Sequence, residues 1–251
     1  MKLKSMSFRK KVLILGIPID ALTGAEAVDE VFRLIDSGSQ HHIMTPNPEM
    51  LVEARRNTAF RTVLNETSMN VPDGTGLKWA AGFYGKPIPE RVTGVDLLTG
   101  ICSKENIPPV FLLGAMPAVA GSAAEKLKQL NPGLKVAGTY SGSPAAGDEN
   151  DLINRINLSG ARVLFVAFGA PAQDLWISRN LKKMPSVVLA MGVGGSFDFL
   201  AGTRRRAPAC MRSAGLEWLW RLINEPRRFK RIFTAVVVFP LLVLRARARG
   251  E

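Results

Sequence analysis

Histidine, tyrosine and cysteine each occur only twice in this chain of 251 residues, and each scarcity removes a class of protein. Cys102 and Cys210 are far apart and lack zinc or redox-pair spacing, so no disulfide framework organises the fold and a reducing compartment is expected. His41 and His42 are adjacent and would point to opposite faces of a strand, so no metal centre is expected from them. There is no Asp-x-Asp pair to hold a divalent cation under a nucleotide diphosphate, no Gly-Lys-Ser/Thr of a Walker loop, and no complete dinucleotide glycine fingerprint. No resident cofactor is therefore expected. Apolar runs are also short. None reaches the ~20 residues of a spanning helix, and the one from Ile232 to Leu244 is broken by Pro240. Behind Lys10 and Lys11, the run from Val12 to Ile19 is stopped by Pro18 and Asp20 with no cleavage pattern after it, so it reads as a first strand rather than a signal peptide.

What is present is the composition of a globular α/β protein, 47% hydrophobic and 22% charged. The charge is unevenly placed. Arg204 to Glu251 carry twelve Lys/Arg against three Asp/Glu, which is +9 of the chain's net +12. The chain thus divides into a near-neutral α/β unit, 1–202, and a basic, amphipathic appendage, 203–251. Basic residues gain roughly 1 kcal/mol each near anionic headgroups while apolar ones enter the boundary, so the appendage suits the inner face of a cell membrane, attached but not crossing. Trp218, Trp220, Phe229 and Phe233 would pack on the body or sit at that interface. The same apolar surface would let isolated subunits associate as a homo-oligomer. A pI near 10.2 also fits a basic nucleic-acid-binding protein, but the apolar run favours lipid over nucleic acid.

Short apolar runs at Val12–Leu15, His42–Met44, Met69–Val71, Val110–Leu113, Lys135–Thr139, Val163–Phe168 and Val187–Met191 alternate with helical patterns. The helices expected are Ala25–Ser37, Pro48–Asn57, Ala118–Leu130, Asp148–Leu158 and Gln173–Lys183. That order predicts a Rossmann-like α/β fold with a mostly parallel sheet covered by helices on both faces. Ligands in such sheets bind beyond the carboxyl ends of the strands. Loops rich in Gly, Pro and small polar residues follow Met44, Val71, Leu113, Phe168 and Met191, and imply one shared crevice.

Within those loops Asn47 can cap a helix that begins at Pro48, aiming backbone amides and the Thr45 hydroxyl into the crevice, although capping alone would also explain it. Asp73, between Pro72 and Gly74, places a carboxylate on a rigid turn, as a general base with a raised pKa or as an ordinary Asx-turn residue. Turns at Gly114 and at Gly192 to Gly195, including Gly194, would let amides approach a diphosphate. Arg91 is a candidate phosphate or sugar contact. A nucleotide-cofactor oxidoreductase would use a similar crevice, but the incomplete glycine fingerprint counts against it.

Taken together, these blocks resemble the WecG/TagA/CpsF family of bacterial glycosyltransferases. The resemblance runs, in order, through Thr45-Pro46-Asn47-Pro48-Glu49, Val71-Pro72-Asp73-Gly74, Glu90 to Asp96, Leu112-Leu113-Gly114, Phe168 to Asp174 with Trp176-Ile177, Met191 to Asp198, and Arg206-Ala207-Pro208 with Gly215-Leu216-Glu217-Trp218. It implies inverting, metal-independent transfer of an N-acetylmannosamine-type sugar from a UDP donor to a polyprenyl-diphosphate-linked N-acetylglucosamine, in synthesis of teichoic acid or other surface polysaccharide. It further implies Asp73 as catalytic base, Thr45 and Asn47 as a substrate-positioning loop, and Arg91 and Gln173 as pocket residues. Arg206, Arg212 and Arg221 of the appendage are candidates to neutralise the departing diphosphate, which would complete the site only when the appendage covers the crevice. Two departures stand out. Ala172 replaces a lysine usual in the family and Asp174 a glutamate, and the lost cation leaves the donor sugar open.

Overall fold

The computed structural model describes residues 9–250; the first eight residues and Glu251, which the division above includes, lie outside the described residues. The chain opens with an antiparallel hairpin, β1 (Lys11–Ile14) and β2 (Ile17–Asp20), joined through Leu15 and Gly16. Both turn residues have positive φ, 50° and 76°, as a tight two-residue hairpin turn requires. The run expected as one strand of the main sheet is therefore a separate two-stranded sheet. The expectation missed it because Leu15 is an unusual residue for a left-handed turn.

The main sheet has six strands, all parallel: β3 (His41–Met44), β4 (Met69–Asn70), β5 (Val110–Gly114), β6 (Val136–Tyr140), β7 (Val163–Ala167) and β8 (Leu189–Gly192), in the order β4-β3-β8-β7-β5-β6. Alternate side chains feed opposite faces. Ile43, Leu112, Phe165 and Met191 join one core beneath helices α1 (Gly24–Ile35), α5 (Gly94–Cys102) and α6 (Val119–Leu130). On the other face Met44 joins the hairpin and helices α2 (Pro48–Ala54), α3 (Thr58–Glu66) and α4 (Thr75–Phe83), while Leu113, Leu164, Val166 and Ala190 pack with α7 (Glu149–Ser159) and α8 (Ala172–Asn180). Burial on both faces is why β5, β7 and β8 read as apolar runs, whereas β6, at the sheet edge, is nowhere fully buried. The helices α3, α4 and α5 did not stand out in the sequence, although Asn57 and Thr93 cap two of them through Phe60 N and Asp96 N.

After α9 (Ser196–Leu200), the basic segment folds as α10 (Ala209–Ser213), α11 (Glu217–Asn224), α12 (Phe229–Phe233), a π turn over Thr234–Val238 and α13 (Phe239–Ala248). One side of α13 is spent on the body, where Phe239, Val243 and Ala246 are buried among Leu77, Ala80, Ala81, Met44 and Leu51. The other side leaves Leu241 and Leu244 exposed, as are Phe229, Phe233, Val236 and Val237 before it. No helix among the described residues is long and apolar enough to cross a membrane.

Candidate active site

The carboxyl ends of β3, β4, β7 and β8 surround a cavity of about 260 Å³, roofed by the C-terminal segment. Thr45, Asn47, Asp73, Gln173, Gly192, Gly194 and Arg221 all line it. Asn47 does two jobs at once: its Oδ1 accepts the Met50 amide at 3.0 Å to cap α2, and the residue forms cavity wall. Thr45 faces Gly94 so closely that a Cβ there would lie 3.2 Å from the Thr45 hydroxyl.

Gln173 is the bracket between two glycine turns. Its Oε1 accepts from Gly169 N at 3.0 Å and from Gly194 N at 2.9 Å, tying the loops after β7 and β8 together. Gly192 is required next to it, since any Cβ would run into the side chains of Asp174 and Gln173. Beneath, buried Asp174 stands 3.5 Å from His42 Nε2.

Asp73 follows β4 and is partly buried, with Asp73 N bound to Pro46 O at 2.9 Å, so the two proline-flanked loops hold each other. Its Oδ2 lies 3.5 Å from Gly94 N, the first residue of α5, rather than folding back as an Asx turn. Burial pushes its carboxyl up to about 6, against the pull of Arg221 and Arg91 and with help from Glu217. A carboxylate so placed can hold a proton near neutral pH, the range in which a general base works.

Other residues singled out in the sequence fall outside this cavity. Gly114, with φ of 103°, backs onto β7, where a Cβ would meet the Ala167 carbonyl carbon at 2.8 Å; it is a packing position rather than a wall. Arg91 sits one layer away, 3.0 Å from Glu217, and faces a neighbouring cavity that also includes Asp73. Arg206 is committed to a bidentate pair with Asp96 at 2.7 and 3.0 Å, and so fastens the C-terminal segment to α5. Arg212 faces the same Asp96. The cations at the cavity wall are instead Arg204, Arg221, Arg228 and Arg231. Burial, and the like charges of Arg231, Arg204 and Arg221, lower the pKa of Arg228 against the pull of Glu225, and each of the four has an acidic partner: Asp198 and Glu225 for Arg204, Glu217 for Arg221, Glu225 for Arg228 and Glu49 for Arg231. Sequence reasoning passed over Arg204, Arg228 and Arg231, because in a stretch so rich in arginine nothing local marks which ones turn inward. Among the described residues no group of three or more His, Cys, Asp or Glu could hold a metal ion.

A carboxylate raised toward neutrality, glycine turns and four arginines thus share one cavity at the strand ends of an α/β sheet, where ligands of such folds bind. A sequence model of the "Glycosyl transferase WecG/TagA/CpsF family" matches residues 12–251, and the chain belongs to that family of glycosyltransferases. It is similar to the N-acetylglucosaminyldiphosphoundecaprenol N-acetyl-beta-D-mannosaminyltransferase of Bacillus spizizenii, 33% identical over 202 residues that cover 80% of this chain and 77% of that protein. It is similar also to the protein of the same name from Staphylococcus aureus, 31% identical over 254 residues that cover 99% of this chain and 98% of that one.

Proposed function

We propose that this glycosyltransferase moves an N-acetylmannosamine-type sugar from a UDP donor to N-acetylglucosamine carried on polyprenyl diphosphate, with inversion and without a divalent cation. The relatives' names give the sugar and the acceptor. The donor's diphosphate suits the wall that carries Arg204, Arg221, Arg228 and Arg231, with the glycine turns, whose Gly169 and Gly194 amides are held by Gln173, leaving room beside it.

In the reaction, Asp73 takes the proton from the acceptor hydroxyl as that oxygen bonds to the anomeric carbon. The bond from that carbon to the diphosphate oxygen breaks on the opposite face, and UDP leaves with the electron pair. The arginines stabilise the charge that builds on the departing oxygens. Acceptors of this kind are held in a membrane, so the enzyme works at the cytoplasmic surface, attached through the exposed apolar residues and cations of its C-terminal segment.

The observation that carries this reading is the Asp73 carboxyl, raised to about 6 in a strand-end cavity that it shares with Arg204, Arg221, Arg228 and Arg231, with the acids Asp198 and Glu217, and with the glycine turns after β7 and β8. UDP release from UDP-N-acetylmannosamine, measured with a lipid-linked N-acetylglucosamine acceptor in EDTA, tests it. The wild-type chain should turn over and Asp73→Asn should lose about 10²- to 10⁴-fold. Undiminished turnover by Asp73→Asn, or none by the wild type until a metal is added, would refute the base or the metal-free chemistry respectively.

A further inference from the structure

Glu217 is an unusual residue to find at this site. It is an acid contributed by the basic segment, its side chain is only 9% exposed, and it lines both cavities that Asp73 lines. Its two oxygens are divided between two cations from different parts of the chain. Oε1 accepts from Arg221 Nη2 at 2.7 Å, one turn along α11, and Oε2 lies 3.0 Å from Arg91 Nη1 in the loop before α5. The guanidinium carbon of Arg221 also lies over the Phe199 ring, 5.5 Å from its centroid.

We propose that Glu217 is a positioning residue for the transfer reaction: it fixes Arg91 and Arg221 beside Asp73 and competes with Asp73 for both cations, so that the base is not tied up in an ion pair. The proposal rests on the reading of Asp73 as the base. Around Asp73 the charged groups are Arg221 and Glu217 from α11, Arg91 from the loop before α5 and, more remotely, Arg206. Two cations and one nearby anion leave a single net positive charge; deleting the anion would leave two. Burial pushes the Glu217 carboxyl up, but Arg221 and Arg91 outweigh it and hold it below the usual range, so Glu217 stays charged while Asp73 titrates.

The test uses the full chain and follows the Asp73 carboxyl by carbon-13 NMR, assigned with Asp73→Asn. In Glu217→Gln the midpoint should fall by about one pH unit from its wild-type position, and the acid limb of kcat/KM should move with it. Glu217→Asp keeps the charge and should hold the midpoint. Release of the C-terminal segment would also lower the midpoint, by exposing Asp73 to water. The double variant Glu217→Gln/Arg221→Gln separates the two causes: removing one freed cation should return most of the shift, whereas a detached segment would leave it low. An unmoved midpoint in Glu217→Gln, or a low one in the double variant, would overturn the proposal. Turnover retained by Asp73→Asn would remove the base instead, while leaving the midpoints to be read on their own.

Discussion

At the scale of single residues, the role proposed for Asp73 is in conflict with stability. Its carboxyl ionises at about 3.8 in the unfolded chain and about 6 in the fold, because burial disfavours the charged form. Below about 3.8 both states are protonated and the difference costs nothing. Between the two values the folded state binds more protons, so stability falls as pH rises, and above about 6 the full cost is present. A shift of about two units is worth roughly 3 kcal/mol. Asp73→Asn is therefore expected to raise the melting temperature at pH 8 while removing turnover, with the gain vanishing near pH 3.5. Thermal unfolding of both proteins across that range checks it. In the wild type, kcat/KM should rise with pH through an apparent pKa near 6, as the base form of Asp73 becomes populated. Asp73 was legible in the sequence because a proline and a glycine flank it directly after an apolar strand. Glu217 was not, since nothing near it in sequence indicates that it would meet Arg91 across the fold.

At the scale of elements, the site depends on two packing joints. One is Gly192 at the end of β8, where a methyl group would collide with Asp174 and Gln173. Gly192→Ala should cost about 1–3 kcal/mol and disturb the Gln173 bracket, so chemical denaturation should show lower stability and kcat should fall with it. The other joint is α13, whose Phe239 is fully buried against α4. Phe239→Ala should cost about 3–5 kcal/mol, and limited proteolysis should then cut the C-terminal segment first. The central strands β5, β7 and β8 were readable because burial on both faces makes them continuous apolar words, and the loops behind them because Gly and Pro punctuate the ends. The double use of the Ile232–Leu244 run was not readable. Phe239 and Val243 face the core while Leu241 and Leu244 face out, and the π turn at Thr234–Val238 resets the helical phase between the two halves of the run.

At the scale of the whole molecule, the distribution of charge acquires a direction once the C-terminal segment is folded. Its inward arginines serve the cavity and its ion pairs to Asp96 and Glu49 hold it down, through Arg206 and Arg231. What remains outside is a row of exposed apolar residues, Phe229, Phe233, Val236, Val237, Leu241 and Leu244, accompanied by Arg227, Lys230 and Arg245. Apolar insertion and attraction to acidic headgroups would act together on such a surface. The chain is expected to co-sediment with vesicles containing phosphatidylglycerol and much less with neutral phosphatidylcholine, the difference shrinking as salt screens the cations. Leu241 and Leu244 are each about half exposed, so each should contribute about 1 kcal/mol on insertion. Leu241→Glu/Leu244→Glu should therefore weaken vesicle binding more than tenfold. Because these side chains point away from the cavity, turnover of a short-chain, water-soluble acceptor should be retained, and only transfer to the membrane-held acceptor should fall. Equal binding of the double variant to anionic vesicles would show that this row is not the contact, and equal loss with both acceptors would show that it supports the fold rather than the membrane.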